Sequence, residues 1–399
     1  MKKFLVLFAL FLSITSVLAA EEFTSPDEVV LDSESFIQED LKELGIATEE
    51  SNKTSDNKTL REKLSDIYYS EVEQIDVRHH MLQDILTKKF SENSPLEKIH
   101  WWGGYNGDWS MRFQDDGSVR NHYEFNALCT GFDGDLKNDA ADFRIMFNFS
   151  PLKGKNMVRY LPGDVYFGTN KIPHHRIQIG NQRPGVGMEG KSSAFLLPLF
   201  ARSQISRNYS SVRKLGARVI GDYSLLEYDF GLYSSDTYFK QFFPGIEFDG
   251  WVNVKPLGKT DGRYGEMRIG GGLQSGHRHG DYNVFGAYAE YKYKKFSASF
   301  EYANADGSNG LVMQSPDIHS SGFYTTLGYR ITPKLQAIIR YDQFNPNHKI
   351  KNNNRRETTL GLNYFIKGQG LRLIFNYVFC QNDAAKDSHR LMLGTQILL

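Results

Sequence analysis

From about residue 99 to Leu399 the chain alternates apolar and polar residues with a period of two, and nowhere after residue 20 does it hold about 18 consecutive apolar residues. Successive side chains of a strand point to opposite faces, so this rhythm writes a sheet with one apolar and one polar face. In "ADFRIMFNFS", Phe143, Ile145, Phe147 and Phe149 oppose Arg144, Met146 and Asn148. In "KLQAIIRYDQF", Leu335, Ala337, Ile339 and Tyr341 oppose Gln336, Ile338, Arg340 and Asp342. The C-terminal "RLMLGTQILL" keeps the same beat to its last residue. An open edge of that kind invites aggregation, so the terminal strand is expected to be paired on both sides.

The alternating segments run for about ten residues or more, the length of a tilted strand crossing a bilayer. Glycine, asparagine, aspartate and lysine fill the gaps between them, as turns require. Sixteen such segments can be marked between 101–113 and 388–399, and an even number lets the last strand close antiparallel on the first. The expected fold is all-β, a closed antiparallel transmembrane barrel over 99–399. Its aromatic content (28 Phe, 22 Tyr, 4 Trp) and its low mean hydropathy suit a wall that is greasy outside and polar inside. Cys129 and Cys380 fall on non-adjacent strands and are expected as free thiols.

The N-terminal region reads differently. Lys2 and Lys3, the apolar run from Phe4 to Leu12 and the small residues around Ala19 form a signal peptide over 1–19. Residues 20–57 read as an acidic, disordered linker. Over 58–92, Leu60, Leu64, Tyr68, Val72, Ile75, His79, Leu82 and Leu86 recur at steps of three and four, the stripe of an amphipathic or coiled-coil helix. Charge divides along the same border: residues 21–99 hold 20 acidic and 9 basic residues, whereas 100–399 hold 27 acidic and 36 basic.

Residues 183–210, "RPGVGMEGKSSAFLLPLFARSQISRNYS", break the alternation between the fifth and sixth segments. A loop of that length inside a compact domain is usually functional, and folding inward would narrow the lumen. It carries Arg183, Lys191, Arg202 and Arg207 against Glu189, a set suited to an anion constriction. With the apolar face outward, parity turns Arg144, Arg176, Arg218, Arg268, Lys292, Arg330, Arg340, Arg372 and Arg390 toward the lumen. The same parity turns Glu124, Asp142, Asp222, Glu227, Asp229, Glu290, Glu301 and Asp342 inward, and Arg340 is expected to pair with Asp342 two residues on. No Ser–His arrangement with supporting spacing appears, "GHRHG" (276–280) reads as a solvated turn, and no catalytic residue, metal or cofactor is assigned. An enzyme is not expected.

Four stretches carry a family resemblance: "IQIGNQRPGVGMEGKSSAFLLPLFARS", "YTTLGYRITPKLQAIIRYDQFNPN", "TTLGLNYFIKGQGLRLIFNYV" and "HRLMLGTQILL". Together they resemble the phosphate-selective porin O and P family of outer-membrane proteins across roughly residues 100–399. Gln182 stands where that family tends to Phe, and Leu399 where an aromatic is usual. The resemblance implies a sixteen-stranded barrel, often a homotrimer in outer-membrane lipid, passing small anions such as phosphate through a basic constriction. The expectation is therefore a passive anion-preferring porin of a diderm outer membrane, with its N-terminal region in the periplasm and no nucleic-acid partner. Two alternatives stand beside it: a non-selective general porin, or a structural barrel tethering the envelope through its periplasmic helix.

Overall fold

The computed structural model describes residues 87–114, 117–149, 161–185, 187–210, 212–236, 241–310 and 314–399. The signal peptide, the acidic linker and the helix expected over 58–92 lie outside these residues up to position 86. The last residues assigned to that helix instead begin a sheet, because Thr87–Lys89 is a short strand, β1.

Sixteen further strands follow: β2 (Leu96–Gln114), β3 (Val119–Leu136), β4 (Asp142–Asn148), β5 (Pro162–Thr169), β6 (His175–Gln182), β7 (Lys214–Asp222), β8 (Leu226–Ser234), β9 (Ile246–Val254), β10 (Glu266–His277), β11 (Asp281–Tyr293), β12 (Phe296–Asn309), β13 (Gln314–Thr332), β14 (Leu335–Asn345), β15 (Arg355–Lys367), β16 (Leu371–Asn382) and β17 (Ala385–Leu398). Each pairs antiparallel with the next, and β17 returns to β2, so the sheet closes into a sixteen-stranded barrel. Closure satisfies both edges of the terminal strand. Leu398 lies opposite Gly104, and Gly103 and Leu399 exchange backbone hydrogen bonds of 3.0 and 2.8 Å. β1 pairs with β2 at 98–100, directly beyond the reach of β17 on the same edge.

The parity read from the sequence holds around the wall. Ile145, Phe285, Phe300, Ile339, Leu360 and Leu393 are exposed on the outer surface, while Met146, Glu301, Ile338, Arg340, Ile374 and Met392 are buried on the inner one. A basic side chain facing lipid at the bilayer midplane costs about 2–4 kcal/mol, so the band that meets the hydrocarbon is kept apolar. Several strands outrun the expected bounds. β2 begins five residues before 101 and ends one after 113, β3 begins one before 120 and ends three after 133, and β13 starts at Gln314 rather than near 320. These extensions hold polar residues such as Lys98, Asp135 and His319, which interrupt the apolar beat. The two cysteines are free, with β2 and β17 standing between their strands.

Candidate functional site: a basic lumen narrowed by an inward loop

After β6 the chain does not rise away from the barrel. It turns into the lumen through α1 (Met188–Lys191), a 3-10 turn (Ala194–Leu196) and α2 (Gln204–Tyr209) before entering β7. The caps explain these short helices. Ser193 accepts from the backbone N–H of Phe195, and Ser203 accepts from that of Ser206. Phe195, Leu197, Leu199, Phe200 and Ile205 are all nearly fully buried against the inner wall. Room for them comes from glycines: a Cβ at Gly104 would sit 2.3 Å from the Phe195 ring, and one at Gly394 would sit 2.2 Å from the Phe200 ring.

The inner wall then grips the loop backbone. Arg372 Nη2 donates to the carbonyl of Leu197 at 2.7 Å and to Gln396 Oε1 at 2.9 Å, and Gln396 Nε2 donates to the carbonyl of Phe195 at 3.0 Å. Asn363 Nδ2 donates to the carbonyl of Pro198 at 2.9 Å, and the N–H of Phe200 donates to Asn376 Oδ1 at 2.9 Å. Further along, the Gln204 N–H donates to Asp342 Oδ2 at 2.7 Å, and Tyr209 and Ser320 share a hydroxyl–hydroxyl bond of 2.7 Å. Arg372 is 1% exposed and makes no ion pair among the described residues, so its buried charge rests on carbonyl dipoles.

The four loop cations divide into two groups. Arg207 is ion-paired with Glu357 on β15 at 2.8 Å, and Arg202 is turned onto the loop's own backbone, donating to the carbonyls of Glu189 and Ser192. Arg183 and Lys191 line the open lumen. Arg183 donates to the Ser192 carbonyl, and Lys191 is exposed, with no ion pair among the described residues. The loop's acid does not face the passage alone: Glu189 receives Arg340 Nη2 at 2.5 Å. Arg340 therefore does not pair with Asp342. Side chains two apart on one face stand about 6.6 Å apart along the strand, whereas the loop brings a carboxylate onto the guanidinium.

A cavity of about 800 Å³ runs between this loop and the inner wall, with lining residues on β2 to β14 and on β16. Arg144, Arg176, Arg218, Arg268, Lys292, Arg330, Arg340 and Arg372 line it, as parity requires, together with Arg213. Arg390 lies nearer the rim and is not among its lining residues. Arg144 is clamped bidentately by Asp133 at 2.7 and 2.6 Å over the face of Trp102, and Arg176 by Asp142 at 2.7 and 2.6 Å over Tyr166. Such forks fix the guanidinium plane and leave the remaining donors oriented. Arg213 pairs with Asp164 at 2.7 Å, Arg218 with Asp229 at 3.3 Å, and Arg268 reaches Glu290 at 3.2 Å. Across the lumen Arg330 stacks on Phe365 at 3.9 Å.

The sequence reading passed over Arg213, Asp133, Asp164 and the buried Lys214–Glu247 pair. Lys214 and Asp164 share the even parity of Arg218 and Tyr166, so alternation alone could have placed them inside. In "GHRHG", His277 contacts Asp281 at 2.8 Å.

These features define a class. A sixteen-stranded barrel with an apolar exterior, a charged lumen and an inward loop is the fold of outer-membrane porins. The family model for phosphate-selective porin O and P matches residues 262–398, the eight strands β10 to β17, and bears out the resemblance over that third of the chain. The stretch beginning "IQIGNQRPG" lies outside the match. No curated protein matches in sequence. Among solved structures, the anion-selective porin from Comamonas acidovorans is 10% identical, with 75% of this chain and 99% of that one covered and a TM-score of 0.56. The outer membrane channel DcaP of Acinetobacter baumannii is 10% identical over 78% of this chain and 100% of that one, at 0.56. OmpT of Vibrio cholerae, in its trimer form, is 12% identical over 75% and 99%, at 0.52. The fold is the one these porin structures share.

Proposed function

We propose that this barrel is a passive outer-membrane channel with a modest preference for small anions, phosphate among them. One observation carries the reading: eleven basic and six acidic side chains line the 800 Å³ cavity. An anion entering a narrow passage loses part of its hydration and needs donors in its place. Guanidinium groups supply several N–H donors and keep their charge. Low-dielectric walls focus the surplus field and raise the local anion concentration. Because Asp133, Asp142, Asp164 and Asp229 already occupy one side of their arginines, each site is weak, as conduction requires. Lys191 and Arg183 supply the loop's share of the surplus.

A homotrimer embedded in outer-membrane lipid fits the same reading, since the OmpT relative in fold is described in a trimer form. The region before Thr87 is assigned to the periplasm, after removal of residues 1–19. β1 supports this: it joins the wall at the end where the barrel's shortest turns gather, beside the C-terminal strand end. The test is the zero-current potential of the wild-type channel in a potassium chloride gradient across a planar bilayer. A potential of anionic sign supports the reading; zero or cationic sign rejects it.

A further inference from the structure

At the barrel end where β17 stops, the outer face of β10 to β13 changes chemistry. Along most of its length that face is greasy, with Ile269, Phe285, Phe300 and Leu327 exposed. Near the end it turns aromatic. Tyr293 lies opposite Phe296 in the ladder, and Phe296 opposite Tyr329, so the three rings share one level on one face. Tyr291, one step back, donates its hydroxyl to the carbonyl of Tyr264 at 2.9 Å, and Tyr264 itself is 55% exposed. Gly265, at φ +87°, lets the turn 255–265 close onto this row: a Cβ there would lie 3.0 Å from that of Tyr293.

Beyond the rings come cations. The guanidinium of Arg263 lies 5.5 Å from the centre of the Tyr264 ring, and Lys294 Nζ lies 5.3 Å from that of Tyr293. Lys259 and Lys295 are exposed on the same two turns. None of these four makes an ion pair or a side-chain hydrogen bond among the described residues. Against them the turns carry Asp261, while Glu266 shares the inward parity of Arg268. Lys294 also holds a φ of +50°, which glycine or asparagine adopts at less cost. The other ends of these strands have the opposite sign: Asp281, Asp306 and Asp317 are exposed there, and Arg278 is buried against Asp236 at 3.1 Å.

Greasy band, rings, then free cations is the order met on passing from acyl chains through the glycerol region to the headgroups of a bilayer. We propose that this outer patch binds an anionic phospholipid, its phosphate between Arg263 and Lys294 and its glycerol and first methylenes against Tyr264 and Tyr293. Long basic side chains reach the headgroup level while their stems cover apolar surface. The occupant is a diacyl lipid because the rings stand on the face that meets hydrocarbon. With this end assigned to the periplasm, it is a lipid of the inner leaflet. None of these four side chains lines the cavity, so the site stands apart from the ion preference of the lumen.

The test is native mass spectrometry of the full chain in detergent, titrated with dioleoylphosphatidylglycerol and, separately, with dioleoylphosphatidylcholine, which has the same chains and a zwitterionic headgroup. Arg263→Gln/Lys294→Gln removes both cations. Lys294→Asn removes one and suits the φ of +50°, so a misfolded turn is not mistaken for a lost site, and heat-modifiable mobility on gels reports folding. Lys349→Gln/Lys351→Gln takes the same charge from exposed positions at the opposite end. The wild type is expected to bind its first phosphatidylglycerol more tightly than phosphatidylcholine. The Kd for phosphatidylglycerol is expected to rise about ten-fold or more in Arg263→Gln/Lys294→Gln, less in Lys294→Asn, and not at all in Lys349→Gln/Lys351→Gln. Glycerophosphoglycerol, the headgroup without chains, should not compete. Equal affinity for the two lipids, an unchanged Kd in the folded double variant, an equal loss in Lys349→Gln/Lys351→Gln, or competition by the free headgroup would overturn the site.

Discussion

Glu189, on the inward loop, lies with its Oε1 2.5 Å from Nη2 of Arg340, on the barrel wall, and both are almost wholly buried. The same guanidinium donates to the carbonyl of Ala201 at 3.1 Å and to Thr326 at 2.9 Å, so one wall residue holds the loop at two points. Removing one member of a buried pair strands the other charge and costs about 3–5 kcal/mol. Glu189→Ala is therefore expected to loosen the loop and raise open-channel noise. Glu189→Ala with Arg340→Ala is expected to fall short of the sum of the single effects on unfolding free energy, because the two act as one unit. Additive losses in denaturant titration would show that the pair does not hold the loop.

Arg372 anchors the segment at 195–197 through carbonyl groups alone. Arg372→Ala leaves the Leu197 carbonyl without this donor, at about 1–3 kcal/mol, while the Phe195 carbonyl keeps the amide of Gln396. The expected outcome is a larger and less steady single-channel conductance, since the loop is freed from the side of β16. Conductance identical to the wild type in a folded variant would mean that the apolar contacts of Phe195 and Leu197 suffice.

Selectivity should respond unequally to the loop cations. Lys191→Glu reverses a charge that faces the cavity and is expected to shift the zero-current potential toward cations. Arg207→Gln with Glu357→Gln removes a neutral pair and should leave that potential within error of the wild type. The opposite ranking would place the constriction at α2 rather than at α1.

On the outer surface Ile339 is 45% exposed, next in sequence to the buried Arg340. Ile339→Arg is expected to cost about 2–4 kcal/mol if it lies near the bilayer midplane. Gln336→Arg, facing the lumen, should cost much less. Reversible unfolding in lipid vesicles compares the two, and equal penalties would deny that the two faces meet different solvents.

Much of this could be read before any coordinates. Alternation through Phe143 to Phe149, or Leu335 to Tyr341, announces which groups meet lipid, because only one partition of charged and greasy side chains is affordable in a bilayer. The aperiodic stretch at 183–210 also announced a loop with separate work. What stayed hidden was partnership. Nothing local to Arg340 says that its carboxylate comes from Glu189 rather than Asp342, since that choice is made by a loop crossing the lumen. Asn363, Asn376 and Gln396 look like ordinary inward polar residues until the path of 195–200 is known. That Arg390 lies opposite Arg112, and Arg112 opposite Arg120, is likewise a product of register, invisible until β17 is laid against β2.

The charge of the lumen itself can be probed at Ser299, which lines the cavity on β12. In a chain carrying Cys129→Ser, Cys380→Ser and Ser299→Cys, the rate of thiol modification by a negatively charged methanethiosulfonate is compared with that of its positively charged counterpart. A basic lumen predicts faster reaction with the anionic reagent, with the gap narrowing as salt rises. Equal rates at low salt, or faster reaction with the cation, would contradict it.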